Sequence, residues 1–164
     1  MRSSYSSKAF NRATIIATVY AGTLDILSAF AYDAYDGGEP LAVLRGIAGA
    51  IIDREALGND YVMAAIGLGL HFTIMLAMAW FYMAVASRLK PVNRVPILSG
   101  VVYGLILYGV MDWYILPWRW PTLFPILSPK DVGEQLFSHV VLVGMPIALV
   151  ARGATRWRFM SDRY

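Results

Sequence analysis

Cysteine is absent from this chain of 164 residues, and histidine occurs only twice. Without cysteine the chain has no disulfide, no thiolate metal site and no thiol nucleophile. Charged residues are also scarce, at 15% of the sequence, compared with about 25% in an ordinary soluble domain. The motifs HExxH, GxSxG, the P-loop and the glycine-rich dinucleotide fingerprint do not occur. The sequence therefore gives no reason to expect an enzyme.

What the chain has instead is long hydrophobic runs. Residues 61–86, YVMAAIGLGLHFTIMLAMAWFYMAVA, contain a single ionisable residue, His71. A bilayer-spanning helix needs about 20 apolar residues, so this run predicts an integral membrane protein. Three further apolar runs, at 14–32, 96–116 and 135–151, complete the pattern. We therefore predict an all-α membrane protein, a four-transmembrane-helix bundle that forms one domain over residues 1–164.

The first apolar run follows a basic N-terminal segment, as in a signal peptide. Asp25 interrupts it, which is unusual for a signal, so we interpret it as a retained span. Residues 40–57 predict an additional amphipathic or interfacial helix between spans 1 and 2. Its apolar stretch is short and contains Arg45. Four prolines at every fourth position from Pro117 to Pro129 predict an irregular loop after the third span.

Basic residues are distributed as the positive-inside rule requires. With four spans and a cytoplasmic start, the inside segments contain most of the cations. These cations are Arg2, Lys8, Arg12, Arg88, Lys90, Arg94, Arg152, Arg156, Arg158 and Arg163. A fifth span at 41–52 would break this bias. The sequence predicts a multi-pass protein with both termini in the cytoplasm, and the net charge of +3 needs no nucleic-acid partner.

Each predicted span carries one ionisable residue: Asp25, His71, Asp112 and His139. An Asp at mid-span costs about 2.5–3.5 kcal/mol on insertion scales. Such residues normally face the bundle interior, find a partner and mark a functional site. Helical spacing places small and polar side chains on the same face of the first span as Asp25. They include Thr18, Ser28 and Tyr32.

Depth along the helices predicts two Asp–His pairs. Asp25 and His71 fall near the middle of their spans, whereas Asp112 and His139 fall closer to the outer ends. The two levels are about 9 Å apart at a rise of 1.5 Å per residue. This arrangement suggests a path for protons, cations or small solutes. An outer acidic rim would concentrate cations; it comprises Asp33, Asp36, Glu39, Asp53, Glu55, Asp60, Asp131 and Glu134.

Three other interpretations compete with permeation. The Asp–His pairs can simply hold the helices together. The chain can be a non-catalytic accessory, scaffolding or assembly subunit of a larger membrane complex. Such a subunit would dock through its aromatic loop, its basic tail or the small residues Gly100, Gly104 and Gly109 of the third span. It can also bind haem or a metal through His71 or His139, although no cofactor is our primary expectation. Beyond lipid, we expect a homo-oligomer or a membrane-protein partner.

Short motifs in the four spans carry one family resemblance. GTLDI, GLGLHF, GVVYGLILYGVMD and SHVVLVGMPIAL resemble the spans of small uncharacterised bacterial inner-membrane proteins of the YagU kind. The resemblance covers the spans and not the tails. It implies a bacterial inner (cytoplasmic) membrane and does not imply an activity.

Overall fold

The computed structural model describes residues 7–52 and 59–161, with side chains described as far as Ala154. Within these residues, four helices are long and apolar enough to cross a membrane. They are Ser7–Tyr35, Asp60–Arg88, Pro96–Arg119 and Pro129–Ala154. This result confirms the all-α, four-helix fold class and a multi-pass membrane protein. Residues 53–57 of the predicted interfacial helix, with Asp53 and Glu55, lie outside the described residues.

The first two spans are uninterrupted α-helices joined through a short helix. Helix α1 is Ser7–Tyr35, α2 is Pro40–Ala48 and α3 is Asp60–Arg88. Pro40 begins α2 at a position where its missing N–H costs nothing. The Asn59 side chain caps α3 by accepting hydrogen bonds from the backbone N–H groups of Tyr61 and Val62. A five-residue helix, α4 (Lys90–Arg94), leads into the third span.

The third and fourth spans each contain a π-helical segment. The third span is α5 (Pro96–Val110), π1 (Met111–Ile115) and α6 (Leu116–Arg119). The fourth is α7 (Pro129–Phe137), π2 (Ser138–Gly144) and α8 (Met145–Ser161).

A proline follows each π segment at the same distance. Pro117 lies two residues after π1, and Pro146 lies two residues after π2. A proline in a helix cannot donate to the carbonyl of residue i−4, and its ring collides with that carbonyl. Widening the preceding turn relieves the collision. The third helix therefore passes Pro117 and continues to Arg119, beyond the predicted end at 116.

The spans alternate in direction, which gives the bundle two distinct ends. We call the end with Tyr35, α2 and residues 116–129 the α2 end. The other end, with Ser7 and α4, is the terminal end.

The terminal half of the bundle is a tightly packed core of small and flexible apolar side chains. Its largest fully buried side chains are Met83, Ile147 and Val143. Alanines from α1, α3 and α8 fill the space between them; these are Ala13, Ala17, Ala21, Ala79, Ala86, Ala148, Ala151 and Ala154. The Tyr103 hydroxyl donates to the Met78 carbonyl at 2.8 Å, and its ring meets the Tyr82 ring edge-on at 5.0 Å. We call this region the packed half.

Glycines bring the third and fourth spans into backbone contact. A Cβ at Gly100 would lie 2.7 Å from the Met145 Cα, and one at Gly104 would lie 2.5 Å from the Val140 Cα. From the other side, a Cβ at Gly144 would lie 2.8 Å from the Gly104 backbone nitrogen. The small-residue motif of the third span therefore packs within the chain, and this face is not free to dock a partner.

Candidate functional site: a polar cluster in the half near helix α2

The first component of the site is the pair Asp25 and His71, on α1 and α3. The His71 Nδ1 lies 4.0 Å from the Asp25 Oδ2. The His71 Nε2 makes a hydrogen bond of 2.9 Å to the backbone carbonyl of Gly22, one turn before Asp25. Because a carbonyl oxygen only accepts, Nε2 carries the proton of this bond. In a neutral ring, the lone pair is then on Nδ1, the atom that faces Asp25.

Two serine hydroxyls link α1 to the fourth span beside this pair. The Ser28 hydroxyl donates to the Asp25 carbonyl at 2.8 Å. It also lies 3.1 Å from the Ser138 hydroxyl. Since the only proton of Ser28 is already donated, Ser138 is the donor in the second bond. This short chain of hydrogen bonds ties the first residue of π2 to the helical turn that contains Asp25.

His139 lies next to Ser138 and connects the two aspartates. Its Nδ1 bonds to the Gln135 carbonyl at 2.9 Å, so Nδ1 is the donor and Nε2 holds the lone pair in the neutral ring. The ring meets the Tyr108 ring edge-on at 6.1 Å between centroids. The imidazole lies close enough to both Asp25 and Asp112 for an electrostatic interaction with each.

Asp112 is the most enclosed acid of the cluster. It is 3% exposed and lies on π1. No hydrogen-bond donor in the described part of the chain reaches its Oδ2. A buried carboxylate oxygen without a donor is costly, and it persists in native proteins mostly where it has a role. Asp112 lies on π1 and His139 lies on π2, so each π segment carries a member of the cluster. Such π-helical turns are frequent at functional sites.

The arrangement differs from the two separate pairs expected from the sequence, because Asp25 interacts with both histidines and His139 with both aspartates. The reason is the start of the fourth helix. The apolar span was expected to begin near 135, whereas the helix that carries it begins at Pro129, so His139 lies ten residues, about 15 Å, from the end of its helix. Asp25 lies equally far from Tyr35. The polar segment 129–134 was too hydrophilic to be assigned to a span, yet it continues the same helix.

Other residues singled out from the sequence lie around this cluster. Ser28 belongs to it, as shown above. Thr18 lies two turns away toward the packed half and donates to the Thr14 carbonyl of its own helix at 2.8 Å. Tyr32 is half-buried near the α2 end. Gly109 has no atom within 4 Å of the position of a Cβ, so it makes no close helix contact within the chain, unlike Gly100 and Gly104.

Ser138, Tyr108 and Gly144 are members or supports of the site that sequence reasoning missed. Tyr108 lies one turn before Asp112, and Gly104 lies one turn before Tyr108, so all three share a face of the third span. That spacing was visible in the sequence and would have identified Tyr108. Ser138 precedes His139, but the wider turn of π2 determines which helix it faces, and no sequence pattern marks a π-helical turn.

The acidic rim is partly neutralised where the structure describes it. Asp60 pairs with Arg45 of α2. Lys130 pairs with Asp36 and lies 3.9 Å from Glu134. Its ammonium group also lies 5.1 Å from the centroid of the Tyr35 ring. These pairs reduce the capacity of the rim to concentrate cations, so they weaken that part of the permeation hypothesis.

In the described part of the chain, no group of three or more His, Cys, Asp and Glu residues could hold a metal ion. For haem, the His71 Nε2 is already used by the Gly22 carbonyl, as described above. The expectation that the chain needs no cofactor stays a prediction, and so does the haem or metal alternative.

Comparison with family models, with curated proteins and with solved structures gives no match for this chain. The resemblance to four-span proteins of the YagU kind therefore stays a prediction. A functional conclusion must come from the cluster itself.

Proposed function

We propose that this chain is a bacterial inner-membrane protein that moves protons through the cluster Asp25, His71, His139 and Asp112. Each of the four spans contributes one member, and the electrostatic neighbours follow one another in the order His71, Asp25, His139 and Asp112. This is the observation that carries the proposal. Both termini lie in the cytoplasm by the positive-inside rule, so the α2 end faces outward.

The histidine hydrogen bonds support a proton as the transferred species. Each ring uses one nitrogen to donate to a helix carbonyl, Nε2 in His71 and Nδ1 in His139. The opposite nitrogen of His71, Nδ1, is left to gain or lose a proton beside the Asp25 carboxylate, and the opposite nitrogen of His139 is left free of the Gln135 carbonyl. Asp25 and His71 can thus exchange one proton without rotation of the His71 imidazole. Their 4.0 Å separation needs a bridging water or an approach of about 1 Å to become a hydrogen bond.

Asp112 and His139 can exchange a proton in the same way, closer to the α2 end. The Asp112 Oδ2 has no hydrogen-bond donor, so an ionised Asp112 is stabilised by a positive charge on His139 or by accepting the proton of that ring. Hydroxyl groups and ordered water are the usual connectors in proton relays. Ser28 and Ser138 provide two hydroxyls beside the first pair. The cluster can therefore pass a proton between levels of the bundle with small side-chain movements.

The packed half indicates a carrier more than an open pore. Its buried polar side chains Thr14, Thr18 and Ser87 each donate to a carbonyl of their own helix, so they are not links between helices. Met83, Ile147 and the alanines close the space around them. Protons that reach the cluster from the α2 end must wait for a rearrangement of this half before they leave at the terminal end.

Reconstitution into lipid vesicles with an internal pH dye tests the proposal. Under a pH or voltage gradient, we expect the native chain to acidify or alkalinise the lumen faster than empty vesicles. Asp25→Asn and His71→Gln should return the rate to that of empty vesicles. Ser87→Ala, a buried polar change in the packed half, is the matched control and should keep the native rate. Equal rates for the native chain and empty vesicles under both gradients would refute proton movement.

A further inference from the structure

Helix α2 packs against the bundle-facing side of α3. The buried residues Ala64, Gly67, His71 and Met75 form one stripe along α3 at helical spacing. Gly67 lies one turn from His71 in the direction of the α2 end. A Cβ at this position would lie 2.8 Å from the Leu44 carbonyl carbon and 3.2 Å from the Ala48 backbone nitrogen. The backbone of α2 therefore rests directly on the stripe that leads to His71.

Apart from its packing on α3, α2 contacts α1, and one ion pair also holds it. Arg45 pairs with Asp60 at the start of α3, and both side chains are solvent-accessible, at 26% and 66% exposure. Beyond the helix, a Cβ at Gly49 would lie 3.7 Å from the Trp120 ring. Exposed ion pairs contribute about 0–1 kcal/mol. On the side of α1, the connection turns at Gly37, whose φ of 83° favours glycine.

We propose that α2 is a lid that controls access from the α2 end to His71 and Asp25. When α2 withdraws, only the small residues Ala64 and Gly67 separate His71 from that end along the stripe. Residue 67 has no side chain, which lets the α2 backbone approach α3 closely. When α2 moves away, the same missing side chain leaves an open path to His71. The inference rests on the proposed function for its purpose, whereas its geometry rests on the packing alone.

The absence of cysteine makes the lid directly testable. The variant His71→Cys carries a single thiol in the stripe, and a charged, membrane-impermeant thiol reagent reports its access from either side. Adding Gly67→Val should displace α2 and raise the labelling rate from the α2 side about tenfold, equivalent to about 1.4 kcal/mol lost from the closed state. Gly69→Val is the matched control, since Gly69 has no neighbour within 4 Å of a Cβ; it should leave the rate unchanged.

A gentler variant covers the case in which Gly67→Val does not fold. Arg45→Asp removes the ion pair to Asp60 and should also raise labelling of the His71→Cys thiol, and the charge-swapped double variant Arg45→Asp, Asp60→Arg should lower it again. Equal labelling in the Gly67→Val and Gly69→Val backgrounds, or no response to Arg45→Asp, would overturn the lid. Labelling is independent of proton flux. Faster labelling without flux in the native chain would support the lid and refute proton movement.

Discussion

The two halves of the bundle differ in how the polar groups in their interiors are hydrogen-bonded. In the packed half, alanine and methionine side chains fill the interior, and the hydroxyls of Thr14, Thr18 and Ser87 donate to carbonyls of their own helices. In the half near α2, the interior contains a carboxylate oxygen without a donor and an Asp–His pair separated by 4.0 Å. The first arrangement is what stability favours. The second is tolerated where groups must change protonation. We therefore expect stability to depend mainly on the packed half and the proposed function on the half near α2.

The boundary between the halves gives the largest expected effect. Gly104→Leu would force a side chain into the backbone of His139 and Val140, and neither backbone can move aside. We expect a loss of about 3 kcal/mol, the upper part of the range for overpacking, and an apparent Tm lower by about 10 °C. Thermal unfolding in detergent, followed by circular dichroism, measures this change.

Gly109→Leu is the control for that variant, because the helix-propensity change is the same and the surrounding space is open. Its Tm should stay close to the native value. Equal Tm values for the two variants would mean that the third and fourth spans do not meet at Gly104.

Within the packed half, Met83→Ala should be the next most damaging change. Met83 is fully buried, and truncation leaves a cavity that the neighbouring helices cannot fill. Soluble proteins lose about 2–5 kcal/mol from such a change. We expect about 2 kcal/mol, since transfer from lipid contributes little to the burial of apolar side chains in membranes. Because Met83 helps to close the space through which protons must leave, proton flux per folded molecule should rise. A Tm equal to that of the native chain would contradict the packing described here.

In the half near α2, Asp112→Asn should have the reverse outcome. Replacing a buried carboxylate whose Oδ2 lacks a donor with a neutral amide removes a desolvation cost, so stability should stay constant or rise by up to about 1 kcal/mol. Proton flux should fall to the level of empty vesicles. Paired Tm and flux measurements on the same preparation test both parts. A destabilised variant with native flux would show that Asp112 is a structural residue and not a member of the relay.

The smallest effect is expected at the surface of the α2 end. Lys130→Gln removes the pairs with Asp36 and Glu134, which are largely exposed. Such solvent-accessible pairs contribute little to stability and are screened by salt. We expect a Tm change of about 1–2 °C or less that disappears at high salt. A larger change that persists at high salt would mean that the α2 end is held together by its charges.

Much of the fold could be predicted from the sequence because lipid imposes simple rules. Apolar length fixes the number of spans. Ionisable residues such as Asp25 and His71 avoid lipid, so they were expected to meet inside the bundle. Glycines at 100 and 104 indicated a close helix contact, although the sequence could not tell whether the contact lay within the chain or between chains.

The rest depended on features with no sequence period. Segment 129–134 is polar, so hydropathy placed the outer end of the fourth span near residue 135, only a few residues from His139. The predicted depth of His139 in the bundle therefore differed from that of Asp25. The π-helical turns determine the directions of the Asp112 and Ser138 side chains. These turns arise from both the proline ring and the packing of the helices, and no single residue in the sequence predicts them. The prediction placed α2 at the membrane interface, but its contact with the stripe above His71 depends on Gly67, which looked like any other glycine in a membrane helix.

The most direct test is nuclear magnetic resonance of the two histidine rings in isotope-labelled protein, since ring-nitrogen shifts report which nitrogen carries the proton. In the neutral state, the proposal predicts opposite tautomers, with the proton on Nε2 in His71 and on Nδ1 in His139. The same tautomer in both rings would contradict the proton relay.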